Sequence, residues 1–413
     1  MADSGVPPTA APGRVALTRS GHGVLATALT MVAAGWAVGY REPVVFGLAG
    51  VLAVIAAVAW TLTPPGITAS RRLAPAHTTR GGHTTATVTL RRTGRWARRG
   101  LRLADSCGDV SVDVPAPTPG ARQAVTARYV VPTPRRGRLA VGPLRLVLTD
   151  PFGFCRRTDV FGDADTLVVR PRTVPLGAPA SGRDAHLDGT TSDAVEGAPS
   201  AFHALRPYVP GDDQRLVHWR STARAGTLIV RQLADLNRPH TTVVLDTEPA
   251  HYRDLPSGSG GAGDTDPADS PFELAVDVAA SVACGAAQLA FPVRLVADGT
   301  WLAVGGDGGT GAILDALAVV RPGAAGSLGH ALGMLGRART GGSLVVVTGG
   351  GADGAVLRRI GALRQVFPRI RVLRVGGRAP GLPPAPRPAY GPMVVDVAAL
   401  PELPGAWNRG AGR

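Results

Sequence analysis

The chain of 413 residues is long enough for two or three domains, and its formal net charge is +14 without a single lysine, so all 44 positive residues are arginines. The missing lysine excludes a P-loop nucleotide site, a Schiff-base lysine and a Ser-Lys mechanism. Aromatic residues make up 5% of the chain, which also lacks a nucleic-acid-binding signature, so we expect no nucleic-acid partner. Cys107, Cys155 and Cys284 are too far apart for a disulfide framework or a metal-ligand motif.

Two apolar runs near the N-terminus predict a transmembrane helix hairpin. They extend over residues 23–40 and 44–62, and each is close to the roughly 20 residues that a membrane helix needs. Arginines precede the first run and follow the second, and only Arg41 lies between them. The positive-inside rule therefore predicts a two-pass protein of the plasma membrane with both termini in the cytoplasm.

The arginine excess lies next to the predicted membrane segments. Thr63–His240 contains 26 arginines and 14 acids, whereas the remainder from Thr241 onward contains 15 and 14. Anionic lipid headgroups attract such charges by about 1 kcal/mol each near the surface. Membrane lipid is therefore one expected partner.

The hydrophobic pattern predicts different folds for the two halves of the remaining chain. Short alternating runs bounded by glycine and proline indicate an antiparallel β-sandwich. Farther along, strands alternate with helices, which indicates an α/β domain with a mostly parallel sheet. The predicted segments are a disordered N-terminus (1–20), the hairpin (21–63), the β-sandwich (66–175), a linker with a signature motif (176–240), the α/β domain (241–400) with a flexible insertion (253–271), and a C-terminal tail (401–413).

The signature motif concentrates charged, aromatic and turn residues. Two adjacent carboxylates follow a Pro-Gly turn and are interleaved with arginines. Nearby arginines lower the pKa of a carboxylate, and such a carboxylate is a poor general base. We predict an arginine–aspartate network with Trp219 packed beneath it, which docks the segment onto the α/β domain or a partner. The docking residues are Arg206, Tyr208, Gly211, Asp212, Asp213, Arg215, His218, Trp219 and Arg224.

Two other interpretations of this motif stay open. Asp212, Asp213 and His218 could form the centre of a hydrolase, as acid and base or as ligands of a hydrolytic metal. Alternatively, a phosphate could be held by arginines of the motif together with backbone amides of the Gly211 turn. An enzyme is the less favoured reading, and we predict no catalytic residues.

A second candidate site follows from the ends of two predicted strands. Asp246 and Glu248 come after the first strand of the α/β domain, and Thr348 ends a later one. Ligands of parallel sheets bind at such carboxyl ends, and oxygen ligands there suit Mg²⁺. Ala250 and the glycines after Thr348 leave few ligands, so we predict a degenerate metal site, no cofactor and no bound Mg²⁺.

The motif Leu205–Trp219 resembles the signature of the bacterial domain of unknown function 58 family. The runs Pro134–Leu139, Gly142–Leu144 and Asp150–Gly153 are similar to that family's membrane-proximal region. The lysine-free, glycine- and arginine-rich composition resembles that of actinobacterial members.

The resemblance implies a membrane-anchored, non-catalytic adaptor or assembly protein. Its C-terminal part would be similar to a von Willebrand factor A (vWA) domain of Rossmann-like architecture, and its partner would be a MoxR-type AAA+ ATPase or a client of that ATPase. Where the family often carries Asp-x-Ser-x-Ser, this chain has Asp246-Thr247-Glu248-Pro249-Ala250, and the Thr-Asp-Gly expected later is Thr348-Gly349-Gly350.

Overall fold

The chain divides into two compact units, Met1–Arg170 and Pro171–Arg413. A computed structural model describes residues 11–94, 101–115, 124–177, 202–209, 217–233, 240–253, 270–288, 292–305, 309–323, 326–338, 342–376 and 392–409. Each unit has its own hydrophobic core.

In its described residues, the first unit combines ten strands with two long helices. The strands are β1 (Ala11–Leu17), β2 (Ile67–Ala74), β3 (His77–Thr79), β4 (Thr84–Arg92), β5 (Leu101–Cys107), β6 (Val110–Val114), β7 (Ala124–Val131), β8 (Gly137–Thr149), β9 (Cys155–Phe161) and β10 (Asp165–Arg170). The helices are α1 (Arg19–Val38) and α2 (Arg41–Leu62).

Both helices are long and apolar enough to cross a membrane. The Thr18 side chain accepts a hydrogen bond from Gly21 N at 3.1 Å and caps the start of α1, and Gly39 ends that helix in the left-handed conformation. Gly35 and Gly47 are buried where the two helices pack, as their small size predicts. The predicted pair of apolar helices is confirmed.

A strand precedes α1, so the predicted disorder of residues 1–20 is wrong where the structure describes them. Strand β1 pairs antiparallel with β9, from Ala11 opposite Val160 to Leu17 opposite Cys155. The segment reads as small and polar because an edge strand needs little apolar surface of its own. Its order comes from backbone hydrogen bonds to β9, which no local pattern reveals.

The strands of the first unit form two sheets that share one core. One sheet has the order β1-β9-β8-β10-β3, with β5 paired to β8 and β6 paired to β5, and the other has the order β2-β4-β7. These pairings are antiparallel, apart from the parallel pair β10 and β3. Val88 and Leu90 of one sheet join Leu144 and Leu146 of the other in the same cluster. Alternating strands thus bury their apolar face.

A buried ion pair ties the two sheets of the first unit together. The Asp105 carboxylate in β5 is fully buried and accepts hydrogen bonds from Arg71 Nη1 at 3.0 and 3.1 Å and from the Tyr129 hydroxyl at 2.5 Å. Arg71 also binds the exposed Asp165 at 2.9 Å. Burial, followed by the hydrogen bond to Asp105, raises the pKa of Tyr129 far above its usual range, so this hydroxyl stays a donor.

The second unit is the α/β part of the chain. Its strands are β11 (Phe202–Pro207), β12 (Ile229–Leu233), β13 (Thr241–Leu245), β14 (Val293–Ala297), β15 (Thr300–Gly305), β16 (Ser343–Gly349), β17 (Arg369–Val375) and β18 (Met393–Val397). Its helices are α3 (Trp219–Ala225), α4 (Pro271–Gln288), α5 (Gly309–Ala318), α6 (Ser327–Arg337), α7 (Gly354–Ala362) and α8 (Leu403–Arg409), with 3₁₀ turns at Pro249–Tyr252, Leu363–Gln365 and Leu400–Glu402.

A six-stranded sheet organises this unit, in the order β15-β14-β13-β16-β17-β18. Its neighbours pair in parallel except β14 and β15, which an Asp298-Gly299 turn joins with both residues at positive φ. Strands β13 and β16 are buried along their whole length, as expected of a sheet covered on both faces. Separate hydrophobic clusters lie on its two faces, one built on α4 and the other on α6 and α7.

The predicted C-terminal tail is wrong for residues 401–409, which fold onto the second unit. Leu403, Ala406 and Trp407 of α8 are buried. The Arg371 guanidinium lies 4.3 Å from the Trp407 ring centroid, and its Nη1 donates to the Trp407 carbonyl at 3.1 Å. The short helix was missed because a few apolar residues between prolines and glycines give no helical period.

Part of the predicted linker is also folded. Strands β11 and β12 form an antiparallel pair, and α3 lies between them in sequence. Residues 178–201 of the predicted linker and 254–269 of the predicted insertion lie outside the described residues.

Candidate functional site

The site with the clearest geometry lies at the carboxyl end of the central strand β13. Asp246 follows this strand directly and is fully buried, and its backbone N donates to Val347 O of β16 at 2.9 Å. Because β13 and β16 run in parallel, their ends meet at one edge of the sheet, and Thr348 comes beside Asp246. The predicted proximity of these two residues is present.

The Asp246 carboxylate is occupied by protein donors. Its Oδ2 accepts hydrogen bonds from Thr348 Oγ1 and pairs with His251 Nδ1, each at 2.5 Å, and its Oδ1 accepts one from Glu248 N at 2.9 Å. The Tyr252 hydroxyl donates to the Asp246 backbone carbonyl at 2.6 Å. These contacts satisfy a carboxylate that would otherwise be costly to bury.

His251 is the partner that sequence reasoning missed. It lies on the 3₁₀ turn Pro249–Tyr252, which the proline starts and which brings the ring back over the end of β13. Burial lowers the pKa of His251, but the hydrogen bond and charge of Asp246, with the charges of Glu248 and Asp353, outweigh it and raise that pKa above its ordinary value of 6.5. The signal in the sequence was a histidine five residues after a strand-end acid.

The glycines after Thr348 have a steric reason. A Cβ on Gly349 would overlap the His251 backbone carbonyl, and Gly351 N donates to the same carbonyl at 3.0 Å. The 3₁₀ turn therefore occupies the space in which an acid of the expected Thr-Asp-Gly pattern would begin.

A metal ion fits this site poorly. Among the described residues, Asp246, Glu248 and His251 each offer one ligand atom within 4.8 Å of the others. A nitrogen ligand suits a transition metal better than Mg²⁺, which prefers an octahedral oxygen site. Both Asp246 oxygens already accept hydrogen bonds, so a metal would have to displace protein donors.

The arrangement also differs from an acid–base–nucleophile relay. A carboxylate that orients an imidazole can prepare it to activate a hydroxyl nucleophile. Here the nearby hydroxyl of Thr348 donates to Asp246 itself. The geometry is therefore that of a buried, satisfied ion pair.

We expect Gly349→Asp to destabilise the second unit by roughly 1–3 kcal/mol, since the new side chain is forced against the turn. The loss should be the same with and without added Mg²⁺, measured as the free energy of unfolding of the detergent-solubilised protein. Gly354→Asp is the matched control, because a Cβ at Gly354 meets nothing within 4 Å. If Mg²⁺ stabilised the wild type or the Gly349→Asp variant, the prediction of a degenerate metal site would be wrong.

Only part of the signature motif lies in the described residues. Gly211, Asp212, Asp213 and Arg215 lie outside them, and of Arg206 only the backbone in β11 is described. The arginine–aspartate network and the carboxylate centre of the alternative hydrolase therefore stay predictions.

The described motif residues have structural roles or are exposed. His218 caps α3, with its Nδ1 2.7 Å from Ser221 Oγ, and Tyr208 N donates to Leu228 O at 2.8 Å. Trp219 is 69% exposed, and its predicted packing beneath the network stays a prediction because the network residues lie outside the described ones. Val217 and Val230 are buried, whereas Arg224 is exposed in the last turn of the helix.

The described residues contain two apolar helices long enough to cross a membrane, antiparallel sheets, and an α/β unit with a paired strand-end acid. Together they define the class of this chain as a two-unit protein with a candidate membrane anchor and an α/β module. Residues 204–371 match the family model described as Protein of unknown function DUF58. The comparisons with curated proteins and with solved structures give no match.

Proposed function

We propose that this chain is a membrane-anchored, non-catalytic adaptor whose α/β module docks a protein partner. The observation that carries the proposal is the occupied Asp246 carboxylate. In the one described strand-end cluster that resembles a metal or catalytic site, protein donors fill both oxygens. Because both Asp246 oxygens accept hydrogen bonds from the protein, this acid stabilises the fold and is poorly placed to bind a metal or to act as a general base.

The strand order supports a vWA-like module. The five parallel strands and the antiparallel edge strand β15 follow the order 3-2-1-4-5-6 in their own sequence, and Asp246 ends the first of them. This is the doubly wound order with the topological switch beside the first strand. In such folds a ligand binds at the carboxyl ends of the strands next to the switch point. In this chain the His251 side chain lies there and pairs with Asp246.

The two apolar helices support an anchor in the plasma membrane with both termini in the cytoplasm. Strand β1 before the hairpin and strand β2 after it belong to the same unit, so both ends of the hairpin emerge on one side. The antiparallel sheets would then serve as a sandwich-like spacer next to the bilayer. The partner expected for this family is a MoxR-type AAA+ ATPase or its client.

A hydrolase centred on Asp212, Asp213 and His218 is the alternative. Against it stands the role of His218 as a helix cap, which engages Nδ1 with Ser221. An exposed aromatic ring one residue later suits docking better, because interface anchors are enriched in tryptophan.

The test is capture of a purified MoxR-type ATPase from the host cell by the detergent-solubilised full chain. We expect Trp219→Ala and Asp212→Ala to lower its affinity at least tenfold, as truncation of a central anchor does. Trp301→Ala is the matched control, since Trp301 is a partly exposed ring elsewhere on the unit. If both variants fold and bind the ATPase as the wild type does, docking through this motif is wrong.

A further inference from the structure

The loop between β8 and β9 lies beside the first turn of α1. Thr18 Oγ1 donates to Gly153 O at 2.5 Å, and Thr18 N donates to Phe154 O at 2.9 Å. A Cβ on Gly21 would overlap the Phe154 carbonyl, so the helix approaches the loop backbone as closely as a glycine allows. These contacts hold the loop Asp150–Phe154 against the first turn of α1.

The other helix is attached to the same strand. Arg157 Nη1 donates to Leu62 O, at the end of α2, at 2.8 Å. Two residues nearer the loop, Cys155 Sγ accepts a hydrogen bond from Thr61 Oγ1 at 3.3 Å. Strand β9 thus begins beside the last turn of α2, and the loop before it lies against the first turn of α1.

The loop is rigid, and it holds an aromatic ring outward. The buried Asp150 carboxylate accepts hydrogen bonds from Phe152 N at 2.9 Å and Cys155 N at 2.5 Å. Phe152 and Phe154 stack with ring centroids 5.7 Å apart, yet Phe152 remains 71% exposed. The loop thus presents an exposed aromatic ring beside α1, and aromatic rings are enriched where membrane helices meet the headgroups.

The charges around the loop suit a lipid surface. Arg14 in β1, Arg19 in the first turn of α1 and Arg156 at the start of β9 are all exposed. The nearby acids Asp150 and Asp159 are buried and engaged, the latter by Arg157. Aromatic rings and arginines together mark the headgroup level of membrane proteins.

We infer that the loop Asp150–Phe154 is a membrane-interface contact that places Phe152 among the headgroups of an anionic bilayer beside α1. The inference rests on the proposed membrane anchor. It adds a third attachment beside the two helices, which fixes the tilt of the first unit on the bilayer surface.

The test uses nitroxide spin labels on the full chain in nanodiscs of phosphatidylcholine and phosphatidylglycerol. The labelled variants are Phe152→Cys, Leu52→Cys on the exposed face of α2, and Val130→Cys on the exposed face of β7. The three native cysteines are buried, and labelling of the unaltered chain measures their background. Collision with oxygen, which dissolves in lipid, is compared with collision with a water-soluble nickel chelate.

We expect the oxygen-to-nickel ratio to be highest at Leu52→Cys and several-fold higher at Phe152→Cys than at Val130→Cys. Equal ratios at Phe152→Cys and Val130→Cys, with a high ratio at Leu52→Cys, overturn this inference and leave the anchor intact. An aqueous ratio at Leu52→Cys contradicts the anchor itself. Unchanged unfolding midpoints in all three variants establish that the labels report on the folded chain.

Discussion

Replacing His251 with phenylalanine is expected to destabilise the second unit by about 3–5 kcal/mol, because it leaves the Asp246 carboxylate buried without its charged partner. The free energy of unfolding can be followed in urea through alkylation of Cys284, which is buried in α4. Peptide mapping separates this thiol from the two cysteines of the first unit. The measurement therefore reports on the unit that contains the change.

His330→Phe is the matched control for this prediction. His330 is exposed on α6, and its replacement should change the stability by no more than about 0.5 kcal/mol. A loss below 1 kcal/mol in His251→Phe would mean that the Asp246 pair contributes little to the fold.

The His251 pair also gives the stability of the wild type a pH dependence. Because the pKa of His251 is higher in the folded chain than its ordinary value of 6.5, its contribution is complete below pH 6.5 and is lost as the pH rises through the folded-state pKa. Burial lowers the pKa of His240, which gives the opposite slope. The difference between wild type and His251→Phe isolates the histidine of interest, and a difference independent of pH would contradict the pairing.

The second large effect is expected in the first unit, where Asp105→Ala should cost about 3–5 kcal/mol. The change leaves the buried Arg71 guanidinium short of a counter-charge and the Tyr129 hydroxyl without its acceptor. Loss of the buried ion pair between the two sheets can be measured as protease susceptibility of the first unit. It can also be measured as alkylation of Cys107, which is buried in the same strand as Asp105.

Asp165→Asn supplies the control, because Asp165 binds the same arginine from an exposed position. An exposed ion pair contributes less than about 1 kcal/mol, so this variant should stay close to the wild type. Equal losses in both variants would show that burial of Asp105 is not the deciding factor.

The sequence predicts the elements whose pattern is local. The apolar runs of α1 and α2 are long enough to be recognised as candidate membrane helices from their length alone. Short apolar runs such as β13 and β16 alternate with helices, which indicates a parallel sheet. Their parallel pairing also predicts that Asp246 and Thr348 meet, since both lie at the carboxyl ends of neighbouring strands.

What the sequence could not predict depends on contacts between distant segments. His251 becomes a partner of Asp246 only after the 3₁₀ turn folds back, and Gly349 is required only because that turn fills the space beside it. Strand β1 is specified by β9, some 140 residues later, and α8 by the ring contact of Trp407 with Arg371. In each case tertiary pairing outweighs local propensity.

The pairing of strand β1 with β9 has consequences for the synthesis of this chain and for the design of truncated forms. The hairpin of α1 and α2 is an insertion within the first unit, because the sheet takes one strand from before the helices and the rest from after them. A truncation that starts after α2 would remove the partner of β9 and open a sheet edge to pairing with another chain. During synthesis β1 cannot pair until β9 has emerged, so the sheet can close only after both helices have been made. A shorter soluble form should therefore keep these residues and replace only the helices with a linker.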